Sequence, residues 1–411
     1  MIDLNKVREN LEEYKKVCKL KGIKLDVDVI LDLDDKRKSM QTKIDNLKFQ
    51  QKELAKKQDY DWAKALKWDI QSKEEEFKSN VEKLDKLLLQ MPQFMSSEVP
   101  EGDSEEDNVE VKKVWEIPSF NFEFKDHIEL MKKHDMIDQE RAVKLSWARS
   151  YFLKWDWALL ENALMQYSLD LMVKKWFTPF VVPNIVNTSC LTGTGYFPGG
   201  EDDAYHMEKD DKWLIGTWEI PLTSYHSGEI LNHDELPKTY AALSSCYRRE
   251  AGTYGKDTAG LYRVHQFQKV EQVIILPEDV TLSDEWHQKI LKNAEEVLQN
   301  IWIPYRLLQL CTWDLALWKY NSHDLECWMP SRNSYWETHS ATSFLDFQAR
   351  RLNLRYRDED WNIKYCYTLN NTVIASPRIL IPLIENNQNA DGKIKIPEVL
   401  RKYMWDREYI G

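Results

Sequence analysis

The sequence predicts an α+β protein: a long antiparallel helical coiled-coil arm, followed by a domain in which strands and helices alternate. Three observations carry this. Met40, Ile44, Leu47, Gln51 and Leu54 step by four and three, as do Phe77, Val81, Leu84, Leu88 and Met91, and such a heptad seam is the signature of paired helices. Between Met91 and Pro118 the composition turns acidic and proline-punctuated, with EGDSEEDNVE over Glu101 to Glu110, which reads as an exposed linker. From Cys246 to Glu271, two runs around Ser245 to Arg249 and Tyr262 to Phe267 bracket a loop holding Gly252, Gly255, Lys256, Asp257 and Gly260, a strand, long loop and strand.

The arm opens with a short amphipathic helix expected from Asp3 to Leu20, and the longer pattern starts near Leu31. Gln58 to Trp62 breaks the rhythm, so two helices joined by a polar turn should form a rod on the order of 40 Å long. Lys36, Arg37, Lys38, Lys43, Lys48, Lys52, Lys56 and Lys57 face only Asp45 and Glu53 across this stretch. Such a stripe is either a solvated coiled-coil face or a footprint for a nucleic-acid backbone. The chain therefore divides into an arm over 1–100, a linker over 101–118 and a second domain over 119–411.

A length of 411 residues exceeds one ordinary core, so two or three domains are expected. The formal net charge of -12 argues against bulk attraction to nucleic acid, although a global sum hides local patches. Cys18, Cys190, Cys246, Cys311, Cys327 and Cys366 include no CxxC pair, so neither a disulfide framework nor a zinc site is indicated. MIDLNKVREN lacks an apolar signal core and no run reaches the roughly 18 apolar residues of a span. A cytoplasmic protein without a membrane partner is expected.

Alternation along the two central runs puts Arg248 with Glu250 on one face, and Arg263, His265 and Phe267 on another. Guanidinium groups suit phosphates and a phenyl ring suits a purine. YRREAG followed by RVHQFQKVE resembles motif 2 of class II aminoacyl-tRNA synthetases, in the form found in the seryl-tRNA synthetase family. FTPFVVP after the helix expected over Leu159 to Lys175 is similar to motif 1, with a short strand over Thr178 to Pro183. TLNNTVIASPRILIPLIENNQ, Thr368 to Gln388, is similar to motif 3, and DFQARRLNLRYRD is a run distinctive of the family. The glycine-rich stretch Gly193 to His206 lacks a GK[ST] ending and reads as a lid or positioning loop.

The resemblance implies an antiparallel β-sheet catalytic domain flanked by helices, acting as a dimer. It implies ATP-dependent activation of L-serine to seryl-adenylate and transfer to serine tRNA. ATP would meet Arg248, Arg249, Glu250, Arg263, Val264, Phe267, Glu337, Ser340 and Arg378, with Arg248 and Arg378 carrying catalysis. Serine would meet Thr217, Glu219, Arg248, Glu271 and Thr372. Glu337 and Ser340 would hold Mg2+, for which oxygen ligands are suitable. Lys36, Arg37, Lys43, Lys48, Lys52 and Lys56 would reach the tRNA, where shape and phosphate contacts dominate. The chain departs from the family at Thr338 and His339, where ISS is common, and at Asn371, Val373 and Pro377, where glycines are usual. His339 is read as a packed side chain. The alternatives are a non-catalytic RNA-binding or scaffold relative, and a ligase charging a carrier protein, which the arm disfavours.

Tryptophan is the compositional anomaly. The chain has 17 Trp and 13 Gly, where average usage of about 7% would give about 29 glycines. Trp115, Trp147, Trp155, Trp157, Trp176, Trp302, Trp313, Trp361 and Trp405 stand where the family pattern has glycine, as in CTWD for CTGD and LKWDW for LKGDG, whereas Trp213 and Trp328 hold expected aromatic positions. Either the chain has diverged, or UGA codons meaning glycine have been decoded as tryptophan. Trp218, inside the Thr217-to-Glu219 triplet, could crowd the serine pocket.

Overall fold

The computed structural model describes residues 2–251 and 260–411. Gly252, Gly255, Lys256 and Asp257 of the expected loop lie outside the described residues. The chain forms two units, Met1–Phe94 and Met95–Gly411. In the first, α1 (Leu4–Glu9) and α2 (Leu11–Leu20) replace the single helix expected there. Asn10 leaves helical backbone geometry, with φ -127 and ψ 42. The rod is α3 (Val27–Lys56) and α4 (Tyr60–Leu88). Their turn falls in the expected place: Gln58 takes a left-handed φ of 61 and Asp59 caps α4 by accepting from the Trp62 amide, a favoured arrangement at a helix start. The seam is buried at Met40, Ile44, Leu84 and Leu88, and half-buried at Leu47, Leu54, Phe77 and Val81.

One buried carboxylate organises the near end of the arm. Asp34 pairs with Arg8 at 2.8 Å, Arg37 at 2.7 Å and Lys38 at 2.9 Å. Burial alone would raise its pKa, but hydrogen bonds from Lys38, Arg37 and Arg8 outweigh that and hold it near about 2. Because the folded pKa lies below the unfolded value, this contribution is complete above about pH 4 and is lost as pH falls toward 2. Asp34→Asn should therefore destabilise the arm by about 2 kcal/mol at neutral pH. Hydrogen exchange of α1 and α2 in the intact protein reads the effect; unchanged protection would refute it.

The second unit is built on an eight-stranded sheet. Its strands are β1 (Val109–Val114), β2 (Thr178–Phe180), β3 (Lys238–Tyr247), β4 (Gln266–Leu276), β5 (Tyr305–Gln309), β6 (Asn321–Met329), β7 (Ser334–Leu345) and β8 (Tyr367–Ser376). Their order is β1-β5-β6-β7-β8-β4-β3-β2. All neighbours are antiparallel except β2 and β3. Helices α5 (Trp155–Lys174) and α6 (Val280–Asn300) contribute to the larger core.

Two expectations change. The stretch 101–118 is not a free linker, because it contains edge strand β1, which pairs with β5. The acidic run is tethered instead: Asn108 accepts from the Cys311 amide at 2.8 Å and donates to Asp314 at 2.8 Å. The unit boundary accordingly falls after Phe94 rather than at 100. The central hairpin also shifts: β3 ends at Tyr247, and β4 begins at Gln266. Glu250, with φ 55, interrupts extended geometry between them, so the local apolar flanks misplaced both strand ends.

Six tryptophans, Trp115, Trp155, Trp176, Trp302, Trp361 and Trp405, hold φ between 50 and 67, a region bulky residues rarely enter. Trp147, Trp157 and Trp313 do not have positive φ. Trp218 is fully buried, its indole donating to the Ser244 carbonyl at 3.3 Å. No helix among the described residues is long and apolar enough to cross a membrane.

Candidate active site

Alternation on β4 sorts the sheet's two faces. Val270 and Ile274 enter the larger core, with Ile290 of α6, while Val273 and Ile275 enter a second core on the other face. Lys269 and Glu271 share the latter face, and both line a cavity of about 270 Å³. Twelve predicted residues line the same cavity: Thr217, Glu219, Arg248, Glu250, Arg263, Val264, Phe267, Glu271, Glu337, Ser340, Thr372 and Arg378. Arg249 does not; its guanidinium lies 5.9 Å from the Tyr205 ring centroid and its amide donates to the Asp203 carbonyl. Neighbours on an extended segment point opposite ways, so Arg248 and Arg249 cannot both enter. His265 also turns aside, packing edge-on against Trp147.

One end of the cavity is acidic and deeply buried. Glu271 lies opposite Thr372 in the β4–β8 register, so the two side chains project together. Thr217 Oγ1 donates to Glu271 at 3.4 Å. Glu219, 4% exposed, receives hydrogen bonds from the Tyr196 hydroxyl at 2.8 Å and the Gln348 amide at 2.5 Å. Burial pushes its pKa up to about 7, against these hydrogen bonds and with Glu271 adding like charge.

The other end is rich in guanidinium groups. Arg248 is anchored through Nε to the Gly216 carbonyl at 3.2 Å and lies 5.2 Å from the Phe267 ring centroid. Arg378 follows the end of β8, donating from Nε to the Tyr262 carbonyl at 3.0 Å and from Nη1 to the Glu337 carbonyl at 2.9 Å. Burial lowers its pKa, although it stays cationic near neutrality. Arg263 pairs with Glu250 at 3.6 Å. Fixed backbone anchors leave the remaining donors of Arg248 and Arg378 oriented before a ligand arrives, which is the arrangement that neutralises phosphate charge without reorganisation.

Glu337 and Ser340 are three apart on β7 and would face opposite ways in a regular strand. A bulge corrects this: Ser340 opposes Asp324 and Glu337 opposes Glu326, leaving Thr338 as the extra residue. Across from Ser340, Asp324 Oδ1 is buried without a hydrogen-bond partner. Burial, then the charge of Glu337, raises the Asp324 pKa to about 8. A buried carboxyl beside a second carboxylate and a hydroxyl is an oxygen donor set that fits a hard divalent cation. His339 is packed as expected, bonded to Thr338 and to the Val373 carbonyl at 3.1 Å, and burial lowers its pKa to about 3.

Comparison with known proteins gives the family. Residues 1–95 match the seryl-tRNA synthetase N-terminal domain, and residues 204–387 match the class II tRNA synthetase core domain of the G, H, P, S and T enzymes. A serine–tRNA ligase of Deinococcus radiodurans is 40% identical over 100% of this chain and 99% of its own length. The chain belongs to the seryl-tRNA synthetase family. Another relative, the serine–tRNA ligase of Dictyoglomus turgidum, is 41% identical over 98% of both chains. The crystal structure of seryl-tRNA synthetase from Pyrococcus horikoshii complexed with ATP superposes with a TM-score of 0.92, at 35% identity over 100% of this chain and 99% of that one.

Within this seryl-tRNA synthetase framework, sequence reading missed Tyr196, Lys269 and Lys319, all at the cavity wall. Lys269 could have been found, since it sits two residues before Glu271 on the same strand. Tyr196 could not, because its hydroxyl reaches Glu219 only through tertiary packing.

Proposed function

We propose that this cavity activates L-serine with ATP and that the protein then transfers the seryl group to serine tRNA. The observation that carries the reading is the convergence of Arg248, Arg378, Glu337, Glu271 and Thr372 on one cavity. The serine ammonium lies against Glu271, Glu219 and Thr217, and its hydroxyl is read by Thr372. Alanine, lacking that hydroxyl, leaves buried polar groups unpaired and is rejected. Phe267 stacks on adenine while Glu250 faces its amino edge.

A carboxylate oxygen of serine attacks the α-phosphorus, the bond to the bridging oxygen breaks, and pyrophosphate leaves. Arg248 neutralises charge at the α-phosphate; Arg378 and Arg263 bind the outer phosphates. Glu337 and Ser340, with Asp324 beside them, would hold Mg2+, which supplies charge neutralisation at phosphate oxygens. A terminal ribose hydroxyl of the tRNA then attacks the seryl carbonyl and AMP leaves. No covalent enzyme intermediate is required, so alignment and electrostatics supply the rate.

The arm lysines and arginine serve the tRNA backbone. Lys36 and Lys48 pair with Glu76 at 3.4 Å and Glu74 at 2.7 Å on α4. Exposed pairs of this kind are worth little and exchange readily for phosphate. Arg37 and Lys56 are paired within α3, to Asp34 and Glu53, while Lys43 and Lys52 are exposed on the same helix. The family's dimer would use α5 and β2, and the six free thiols fit a cytoplasmic setting.

Serine-dependent exchange of labelled pyrophosphate into ATP tests the reading, and a flat signal from folded protein would favour a scaffold. Serine affinity should also depend on pH. Glu219 is charged only above about pH 7, so serine KM should rise as pH falls below that value, approaching tenfold per unit. ATP KM should stay level, and Glu219→Gln should flatten the serine profile.

A further inference from the structure

Lys269 is a buried charged group in the cavity wall for which the mechanism above has no use. It is 5% exposed and lies on β4, two residues from Glu271. Its Nζ donates to Thr217 Oγ1 at 2.6 Å and pairs with Glu271 Oε2. Those are two of the three groups assigned to the substrate ammonium. A lysine ammonium and an amino-acid ammonium are chemically alike, and one carboxylate oxygen cannot serve both at full strength. The charges agree: in the empty pocket Lys269 is the counter-ion of Glu271, while Glu219 is held by the neutral donors Tyr196 and Gln348, so Glu271 is not left as an unpaired buried charge before serine arrives.

We propose that Lys269 is the pocket's built-in ammonium, holding Glu271 and Thr217 in the free protein, and that on serine binding it yields Glu271 and pairs with the serine carboxylate. Handing over the acid neutralises the substrate's two charges in one movement. It also directs the carboxylate, the group that attacks phosphorus, toward the Arg248 end of the cavity. Lys269 is thus a serine-binding and positioning residue that discriminates amino acids from amines.

The test compares L-serine with serinol, which keeps the amine and hydroxyl but lacks the carboxylate, by calorimetry on wild type and Lys269→Met. Serine should bind about 10- to 100-fold more weakly to the variant, while serinol binds as tightly as before or more tightly, because its competitor for Glu271 is gone. Equal weakening of both ligands would make Lys269 a mere prop and overturn the proposal, as would unchanged serine binding. If the methionine variant loses ATP binding as well, Lys269→Gln is read in the same way. The proposal rests on the serine pocket described above. That pocket fails separately if Glu271→Gln leaves serine affinity intact.

A second, independent observation concerns the tryptophans. Helix α5 ends with the Phe177 amide donating to the Met172 carbonyl at 3.0 Å, and α6 with the Ile303 amide donating to the Leu298 carbonyl at 3.1 Å. These are Schellman closures, whose left-handed position is filled by glycine in most helices. Here it is Trp176, with φ 67, and Trp302, with φ 58. Trp405, with φ 56, repeats the left-handed ending after Lys402–Met404. Trp176 and Trp405 are 89% and 71% exposed, so little packing offsets the backbone cost.

We infer that the protein's own ribosomes place glycine at Trp115, Trp155, Trp176, Trp302, Trp361 and Trp405, through UGA codons read as glycine. Sequencing the gene and mass spectrometry of the protein from its own cells decide it. TGA codons with glycine masses are expected; TGG codons, or tryptophan in the native peptides, overturn it. As a check on the protein itself, the sixfold Trp→Gly variant should have a higher Tm than the chain as written.

Discussion

Arg378→Ala should lower serine-dependent pyrophosphate exchange by about 10³-fold, or about 4 kcal/mol of transition-state stabilisation, while serine affinity measured without ATP changes little. The reason is the way Arg378 is held. Two backbone carbonyls, from Tyr262 and Glu337, fix its guanidinium at the mouth of the strand end, so its remaining donors are placed before ATP arrives. Arg378→Lys should recover only a small part of the loss, since one ammonium cannot satisfy two carbonyl anchors and a phosphate together. Exchange within tenfold of wild type in Arg378→Ala would move the outer-phosphate role elsewhere. Arg248 and Arg263 are the remaining arginines in the cavity wall.

The second large effect is expected at the opposite end. Glu271→Ala removes the carboxylate that meets Thr217 and Lys269 and leaves a buried ammonium without its counter-ion. Serine kcat/KM should fall by about 10³-fold, with ATP KM changed by less than about threefold. Steady-state kinetics with each substrate varied in turn separate the two. A comparable loss in ATP KM would mean that the cavity does not divide into the two ends described here.

The contrast between these two sites bears on what a chain of residues discloses. Arg248, Glu271 and Arg378 were readable because each sits inside a contiguous run, RREAG, QKVE and SPRIL, whose order survives any later packing. The rod was readable for a related reason, since a heptad seam is written in consecutive turns. Where the reading failed, the deciding contact was distant. The acidic stretch before Val109 has the composition of a linker, yet Asn108 meets Cys311 and Asp314, and β1 finds its partner some two hundred residues away. Arg249 was assigned to ATP by its neighbours in sequence, but strand alternation sends it to Tyr205.

The amino-acid sequence by itself determined the helical arm and the short runs that carry the cavity's arginines and carboxylates, because local periodicity and short motifs depend on residues close along the chain. Only the tertiary structure decided that a bulge at Thr338 turns Glu337 and Ser340 to one face, and that Tyr196 and Lys269 complete the acidic end. Register and burial are set by partners far apart in the chain, and those partners become neighbours only when the sheet closes.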